Sequence, residues 1–331
     1  MIEFVVTENL SEQRLDKVLR KLLREAPDSF VYRMLREKNI TLNKKRAEGS
    51  DRTKEGDVIR FYFSDETYRK MGGPLDAEGT IDKSQKTAVS ASRPPKGTAL
   101  PVVLYEDDDV LLFVKPFGLK SQKSSANDYS ANDWVLSHYA KRKSESVDRF
   151  RPSIVNRLDR NTGGIMAAGM SARGLRVLSE LFRSRALRKY YYTIVFGEAP
   201  ESMQAFGWIR KASGENLSIV SKDEVPGSQP IETDWVRLVY DPVRDLSLLK
   251  VDLVTGKRHQ IRAHLSALGY PVLGDPKYGD PVRNRRFGLS YQCLYCFRVE
   301  FPECELKGIS GKAFSVPAPL EWPLRPEGDE S

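Results

Sequence analysis

Among the 331 residues of this chain, the stretch Asn156-Arg157-Leu158-Asp159-Arg160-Asn161-Thr162-Gly163-Gly164-Ile165 holds the residue types best suited to chemistry. Asp159 has an arginine two positions before it and another directly after it. Nearby guanidinium charge favours the ionised carboxylate. An ionised carboxylate attacks an electrophile without a partner base. Gly163-Gly164 lets the backbone turn tightly and come close to a ligand. Taken alone, an R-L-D-R run is more often a structural ion pair in a loop. The reading therefore depends on what else the chain carries.

Other candidate chemistries fall away. There are three histidines, His138, His259 and His264, too few for a His-rich metal site. His259 and His264 are five apart, off a common helical face. Cys293 and Cys296 form a C-x-x-C in an apolar, strand-like run with Cys304 near it, short of the four ligands of a structural zinc site. No Gly-rich nucleotide loop follows a strand, which disfavours a methyltransferase. No cluster of metal-binding carboxylates is evident, which disfavours a nuclease. Two arginine clusters remain: Arg183, Arg185 and Arg188 with Lys189, and Arg283, Arg285 and Arg286. Both suit phosphate contacts.

The elements that must position these residues can be read from periodicity. Leu15, Val18, Leu19, Leu22 and Leu23 mark one helical face. Pro27-Asp28-Ser29 opens a second helix with Phe30, Met34 and Leu35 inward. Ile40-Thr41-Leu42 and Val58 to Phe63 read as strands, separated by a basic turn at Asn43 to Arg46 and a Glu55-Gly56-Asp57 turn. Residues 66–100 hold Gly72-Gly73-Pro74, Pro94-Pro95 and few large apolar residues, the composition of a flexible linker. Beyond Pro101 the expected elements are a buried strand at Val110 to Val114, a helix from near Ser171, and a strand at Tyr190 to Phe196. A strand around Leu249 to Leu253 and a helix carrying Ile261, Leu265 and Leu268 follow. They interleave without a βαβ rhythm, so a mixed sheet is expected rather than a doubly wound one.

Lysine and arginine number 53 against 45 aspartate and glutamate, a net charge of +8. Between Arg14 and Arg60 there are 14 basic and 8 acidic residues, so a short segment carries most of the excess. Clustered positive charge is the footprint of a nucleic-acid binder. The segment Met1 to Glu8 lacks a basic leader region, so no signal peptide is expected. The longest apolar run, Val110 to Val114, is too short to span a membrane. With three cysteines, a reducing, cytoplasmic setting is expected.

Residues 12 to 63 resemble the RNA-binding domain named after the small-subunit ribosomal protein S-four. The match lies in Arg14-Leu15-Asp16-Lys17-Val18-Leu19, Arg36-Glu37-Lys38-Asn39-Ile40, Leu42-Asn43 and Glu55-Gly56-Asp57-Val58-Ile59. The rest of the chain resembles the RluA-type family of pseudouridine synthases, which convert uridine in RNA to its carbon-linked isomer. Four stretches carry this likeness, in family order: Asp109 to Leu119; Asn156 to Gly164; Lys189 to Gly197; and Thr255 to Leu265 with Gly274 to Gly279. Together they reverse the odds against Asp159.

The resemblance implies an α+β protein with three parts. These are an RNA-binding domain at 1–65 (two helices and short strands), a linker at 66–100, and a catalytic domain at 101–326 with a larger, mixed, mainly antiparallel sheet. By position, Asp159 matches the family's catalytic aspartate, Tyr191 its active-site tyrosine and Arg262 the arginine that pairs with the aspartate. Arg157 matches an arginine that in relatives fills the space of an extruded base. Arg160, Lys115, Lys189, Arg258, His259 and Gln260 are expected to contact substrate. Arg33, Arg36, Lys38, Lys44, Lys45 and Arg46 are expected to contact RNA. Most members carry His, Asp and Ser where this chain has Asn156, Asn161 and Gly163.

The expected reaction breaks the glycosidic bond, rotates the uracil and forms a carbon–carbon bond to the same sugar. It is an isomerisation that needs no cofactor and no metal. A carboxylate serves it by adding to the uracil ring or by trapping the anomeric carbon. The uridine leaves its stack at a cost of a few kcal/mol, and stacking on Tyr191 recovers about 1–3 kcal/mol. The expected partner is RNA, foremost large-subunit ribosomal RNA, acted on by a monomer. Transfer RNA is the alternative substrate, and a non-catalytic ribosome assembly factor the alternative function.

Overall fold

The computed structural model describes residues 2–7, 10–73, 94–125, 127–142, 150–212, 217–289 and 291–326. The chain divides into two compact units. One comprises Met1–Ala91 with Leu136–Pro152 and Met170–Arg173; the other comprises Ser92–Val135, Ser153–Gly169 and Gly174–Ser331.

In the first unit the order is β1 (Ile2–Val5), α1 (Leu15–Leu22), α2 (Asp28–Arg36), β2 (Ile40–Leu42), β3 (Lys45–Arg46), β4 (Val58–Phe61) and α3 (Asp65–Lys70). The strands form a four-stranded sheet in the order β1-β4-β2-β3. The apolar stripe of α1 (Leu15, Val18, Leu19, Leu22) is buried with Phe30, Val31 and Leu35 of α2. Helix α2 ends on Lys38 at φ 60. The Lys38 N–H donates to the Leu35 carbonyl and the Asn39 N–H to the Met34 carbonyl, the paired bonds of a left-handed helix stop. Asn43 and Lys44 also have positive φ, 51 and 63. Two such residues between antiparallel strands make the tight hairpin turn whose twist matches the strands.

Two expectations change here. Strand β1 was not foreseen, although Ile2 and Phe4 alternate inward and pair with Phe61 and Ile59. The expected linker also begins too early. Ser64 caps α3, its hydroxyl accepting from the Thr67 N–H at 3.2 Å, and Tyr68 is fully buried with its ring 5.0 Å from that of Phe61. An aromatic this deep belongs to the core, not to a tether. The stretch 74–93 of the expected linker lies outside the described residues.

The second unit is built on an 11-stranded, mainly antiparallel sheet. The remaining elements of the chain are β5 (Val102–Glu106), β6 (Val110–Lys115), α4 (Ala131–Arg142), β7 (Ser153–Ile154), β8 (Gly163–Gly169), α5 (Ala172–Ser184), β9 (Arg188–Phe196), β10 (Ser202–Lys211), β11 (Ser218–Ser221), β12 (Gln229–Asp241), β13 (Leu246–Asp252), α6 (Gln260–Ala267), α7 (Pro281–Asn284), β14 (Leu294–Glu300) and β15 (Ala313–Ser315). The sheet order is β11-β10-β12-β13-β9-β14-β8-β6-β5, with β15 beside β14 and β7 beside β8. β14 runs parallel to β8. Residues Gly163 to Gly169 of β8 are all buried, as suits a central strand covered on both faces.

Gly164 shows how close the strands come. Its φ is +111, and a Cβ there would lie 2.3 Å from the Cys296 carbonyl oxygen. The glycine pair was expected to admit a ligand; Gly164 instead admits the backbone of β14. A Cβ on Gly163 would lie 2.9 Å from the Tyr295 ring, so an aromatic closes the space a side chain would need there. Among the described residues, no helix is long and apolar enough to cross a membrane.

Candidate active site

Asp159 sits in the loop between β7 and β8, and its backbone neighbours are pinned on both sides. The Ser121 hydroxyl donates to the Leu158 carbonyl at 2.7 Å and accepts from the Leu158 N–H at 3.0 Å. On the other side, the Lys115 ammonium donates to the Arg160 carbonyl at 3.1 Å, and also to the carbonyls of Leu119 at 2.8 Å and Pro116 at 3.0 Å. The Thr162 N–H closes a turn onto the Asp159 carbonyl, and Gln292 donates to the Thr162 hydroxyl. The Asn156 side chain accepts from the Ala167 N–H at 2.8 Å, which ties the start of the loop to β8.

Lys115 was expected to contact substrate. Its side chain is fully buried and its three donors are all used on carbonyls, so it organises the loop instead. Burial lowers its pKa to about 7, and the charge of Asp159 works against that fall. Gln260 is a second correction. Its amide donates to the Glu232 carbonyl and the Thr233 hydroxyl, and its oxygen accepts from the Thr255 hydroxyl and the Lys257 N–H. Every polar valence serves the start of α6.

Arg262, on α6, reaches the carboxylate. Its Nη1 donates to Asp159 Oδ2 at 2.6 Å. Its Nε and Nη2 donate to the two oxygens of Asp275 at 2.7 and 2.8 Å. Such a two-point pair fixes the guanidinium plane, leaving one edge for Asp159. The Arg262 side chain is 4% exposed and that of Asp275 0%, against 28% for Asp159. Burial works against the charge of Arg262, but the hydrogen bonds and charges of Asp275 and Asp159 outweigh it, so its proton is held more tightly than usual. Asn284, at the end of α7, accepts from the Gly274 N–H and donates to the Asp275 carbonyl. The support for Arg262 is thereby itself supported.

His259 lies on the other oxygen. Its Nε2 is 3.8 Å from Asp159 Oδ1, and its Nδ1 is 2.8 Å from the Tyr278 hydroxyl. That hydroxyl also accepts from the Ser218 N–H at 2.7 Å, so the ring is fixed on one side while Nε2 faces Asp159. Burial lowers the His259 pKa to about 4. The charge of Asp159 opposes this, and those of Arg262, Arg258 and Lys277 add to it. The imidazole is neutral at pH 7.

Tyr191 projects from β9 opposite Cys296 of β14. It is 6% exposed. Burial, then a hydrogen bond and charge from the Cys296 thiol, then Asp159, hold its hydroxyl firmly protonated. Lys189, two residues earlier on the same face, is buried, and burial lowers its pKa. Arg157, Arg160 and Arg258 are exposed around the carboxylate loop. Arg160 Nε donates to the Gly118 carbonyl, while Arg157 makes no hydrogen bond or ion pair among the described residues. Ser121, Asp275, Tyr278 and Asn284 had no expected role, although Asp275 and Tyr278 fall within the family-like stretch Gly274 to Gly279. Arg33, Arg36, Lys38, Lys44, Lys45 and Arg46 are all exposed in the first unit.

A carboxylate gripped on one oxygen by an anchored arginine, with a neutral tyrosine nearby on a mixed central sheet, defines a known kind of isomerase. The chain belongs to the RNA pseudouridylate synthase family: that family's pattern matches residues 109–267. It is an RNA pseudouridine synthase. It is 30% identical over 303 residues to ribosomal large subunit pseudouridine synthase C of Vibrio vulnificus, covering 89% of this chain and 87% of that one. The proteins of the same name in Vibrio cholerae and Escherichia coli K12 are 29% identical over 332 residues and 28% over 330. They cover 97% of this chain in both cases, and 94% and 93% of the relatives. Among solved structures, human RNA pseudouridylate synthase domain containing 4 shares the fold, with a TM-score of 0.54 at 20% identity, over 66% of this chain and 88% of that one.

Proposed function

We propose that this synthase isomerises uridines of large-subunit ribosomal RNA in the cytoplasm, with Asp159 as the nucleophile. The observation that carries the nucleophile is the one-sided grip on its carboxylate. Arg262, fixed by Asp275, takes Oδ2 at 2.6 Å, while Oδ1 faces the neutral His259 ring at 3.8 Å. One oxygen is oriented and the other keeps its lone pairs for attack. The ribosomal substrate rests on the full-length likeness to relatives named for that RNA and on the exposed basic residues of the first unit.

In the proposed reaction the N1–C1′ bond breaks, the uracil turns, a C5–C1′ bond forms, C5 loses a proton and N1 gains one; the bond that Asp159 makes to the nucleoside is broken again before product leaves. Atoms and electrons balance within the nucleoside. Tyr191 stacks on the extruded base and, staying protonated, offers a hydrogen-bond donor. Arg157 and Arg160 hold the flanking phosphates. Asp159→Asn keeps the shape and removes the charge, so the variant is expected to bind RNA and isomerise nothing. Turnover within tenfold of the parent removes Asp159 from the role. Mapping pseudouridines in large-subunit ribosomal RNA and transfer RNA, from cells with and without the protein, tests the substrate. No change in either favours a non-catalytic assembly factor.

A further inference from the structure

Arg283 in α7 and Arg286 just after it line a cavity of about 500 Å³, together with Phe196, Val243, Arg244, Asp245 and Phe287. That volume is in the range of small-ligand pockets. Arg283 lies over the Phe196 ring at 4.1 Å. It is held there by Asp245, whose Oδ2 is 2.6 Å and whose carbonyl is 3.3 Å from its Nη2. Phe196 is 1% exposed, so one face of the guanidinium is closed by the core, and Arg283 is itself part of the cavity wall. The Phe287 ring lies 6.0 Å from that of Phe196. Arg244 is paired with Asp241, but Arg286 has no ion pair among the described residues. The cavity thus offers a flat, oriented cationic platform, an aromatic neighbour and one unneutralised charge.

We propose that this cavity binds one unstacked nucleotide of the RNA substrate, its base on the Arg283 guanidinium and its phosphate on Arg286. Unpaired bases stack on guanidinium planes as on aromatic rings, and phosphates are held by arginine. Asp245 cancels the net charge of Arg283 yet leaves its plane available, which suits a base better than a phosphate. Phe196 is five residues from Tyr191 along β9, roughly 17 Å at strand spacing, and odd and even residues of a strand face opposite ways. The cavity is therefore a second contact, separate from the uridine pocket. It rests on the reading of the protein as an enzyme of a large RNA, whose chain is long enough to reach both places.

The test uses the full-length protein and two probes, a transcript of a large-subunit ribosomal RNA domain and a uridine pentamer. Arg286→Gln is expected to weaken transcript binding and to flatten its salt dependence by about 0.7–0.9 for each phosphate it no longer neutralises. Arg283→Lys keeps the charge beside Asp245 but loses the plane. It is expected to weaken transcript binding at least about fivefold with the salt slope unchanged. Both variants are expected to weaken pentamer binding as well, and neither to change turnover at saturating transcript. Arg286 is exposed and Arg283 half-buried, so a thermal melt checks that the variants are folded. Parental affinity for the transcript in Arg283→Lys overturns the base platform, and parental salt slope in Arg286→Gln overturns the phosphate contact. If the parent isomerises nothing in the transcript while both variants still weaken binding, the ribosomal reading fails and the cavity stands.

Discussion

The carboxylate of Asp159 is useful because its neighbours restrict it unequally. Arg262 is the stiff partner, fixed by Asp275 on two bonds; His259 is the distant one. Arg262→Lys keeps the charge but cannot span both carboxylates with a planar fork. It is expected to stay folded and to lose at least about 100-fold in kcat, the scale of losing an oriented charge in an active site. Single-turnover kinetics check this, and a loss under tenfold contradicts the assigned grip. His259 makes a second, pH-dependent prediction. Its pKa is lowered from 6.5 to about 4, so between those values the unfolded chain binds a proton that the folded chain refuses. Stability then falls as pH drops from 6.5 towards 4. Melting curves from pH 7.5 to 5 should fall more steeply for the parent than for His259→Asn. His264, whose pKa burial also lowers, contributes the same sign to both proteins and cancels.

At the residue scale, the pairing of Asp159 with Arg262 was legible because both stand in motifs. The residues that support them were not, because their work is done on backbone. Ser121 grips Leu158 across 37 residues, and nothing about an isolated serine announces that. The misreadings share this cause. Lys115 and Gln260 look like ligand-binding side chains in a string of letters. Only burial reveals that carbonyls, one backbone amide and two hydroxyls consume their hydrogen bonds.

Among the elements, β6, β9, α1, α2 and α6 follow from the sequence pattern within a residue or two, and β13 begins three residues earlier than expected. The β10 to β12 meander was not foreseen, since its strands mix polar and apolar residues on a half-exposed surface. The contact between β8 and β14 is the most demanding in the sheet. Gly164→Ala would place a methyl 2.3 Å from a backbone oxygen at a φ of +111. Neither strand can move without shifting the Asp159 loop or Tyr191. The variant is expected to lose about 3 kcal/mol or more, read from denaturant unfolding. Near-parental stability would mean the strands part more easily than their packing implies.

For the whole molecule, the exposed basic residues of the first unit are the main uncommitted charge. Lys44, Lys45 and Arg46 crowd one hairpin, and Arg36 and Lys38 lie at the end of α2. Replacing Lys44, Lys45 and Arg46 together by Gln is expected to weaken binding to ribosomal RNA transcripts. It should lower the salt slope by up to about 2 and leave turnover at saturating RNA near the parental value. A raised Kd with an unchanged slope would point to a change of shape rather than to fewer neutralised phosphates.

The parallel pairing of β8 with β14 carries a temporal consequence. The bonds that seat the catalytic loop close chain separations of 37, 103 and 130 residues. Distant closures cost more chain entropy and form late. During synthesis, Asp159 leaves the ribosome well before Arg262, and Gln292 with β14 comes later still. A nascent chain therefore carries its carboxylate for much of its elongation without the partners that aim it. On the proposed role of Asp159, reactivity arrives as a property of the finished polypeptide.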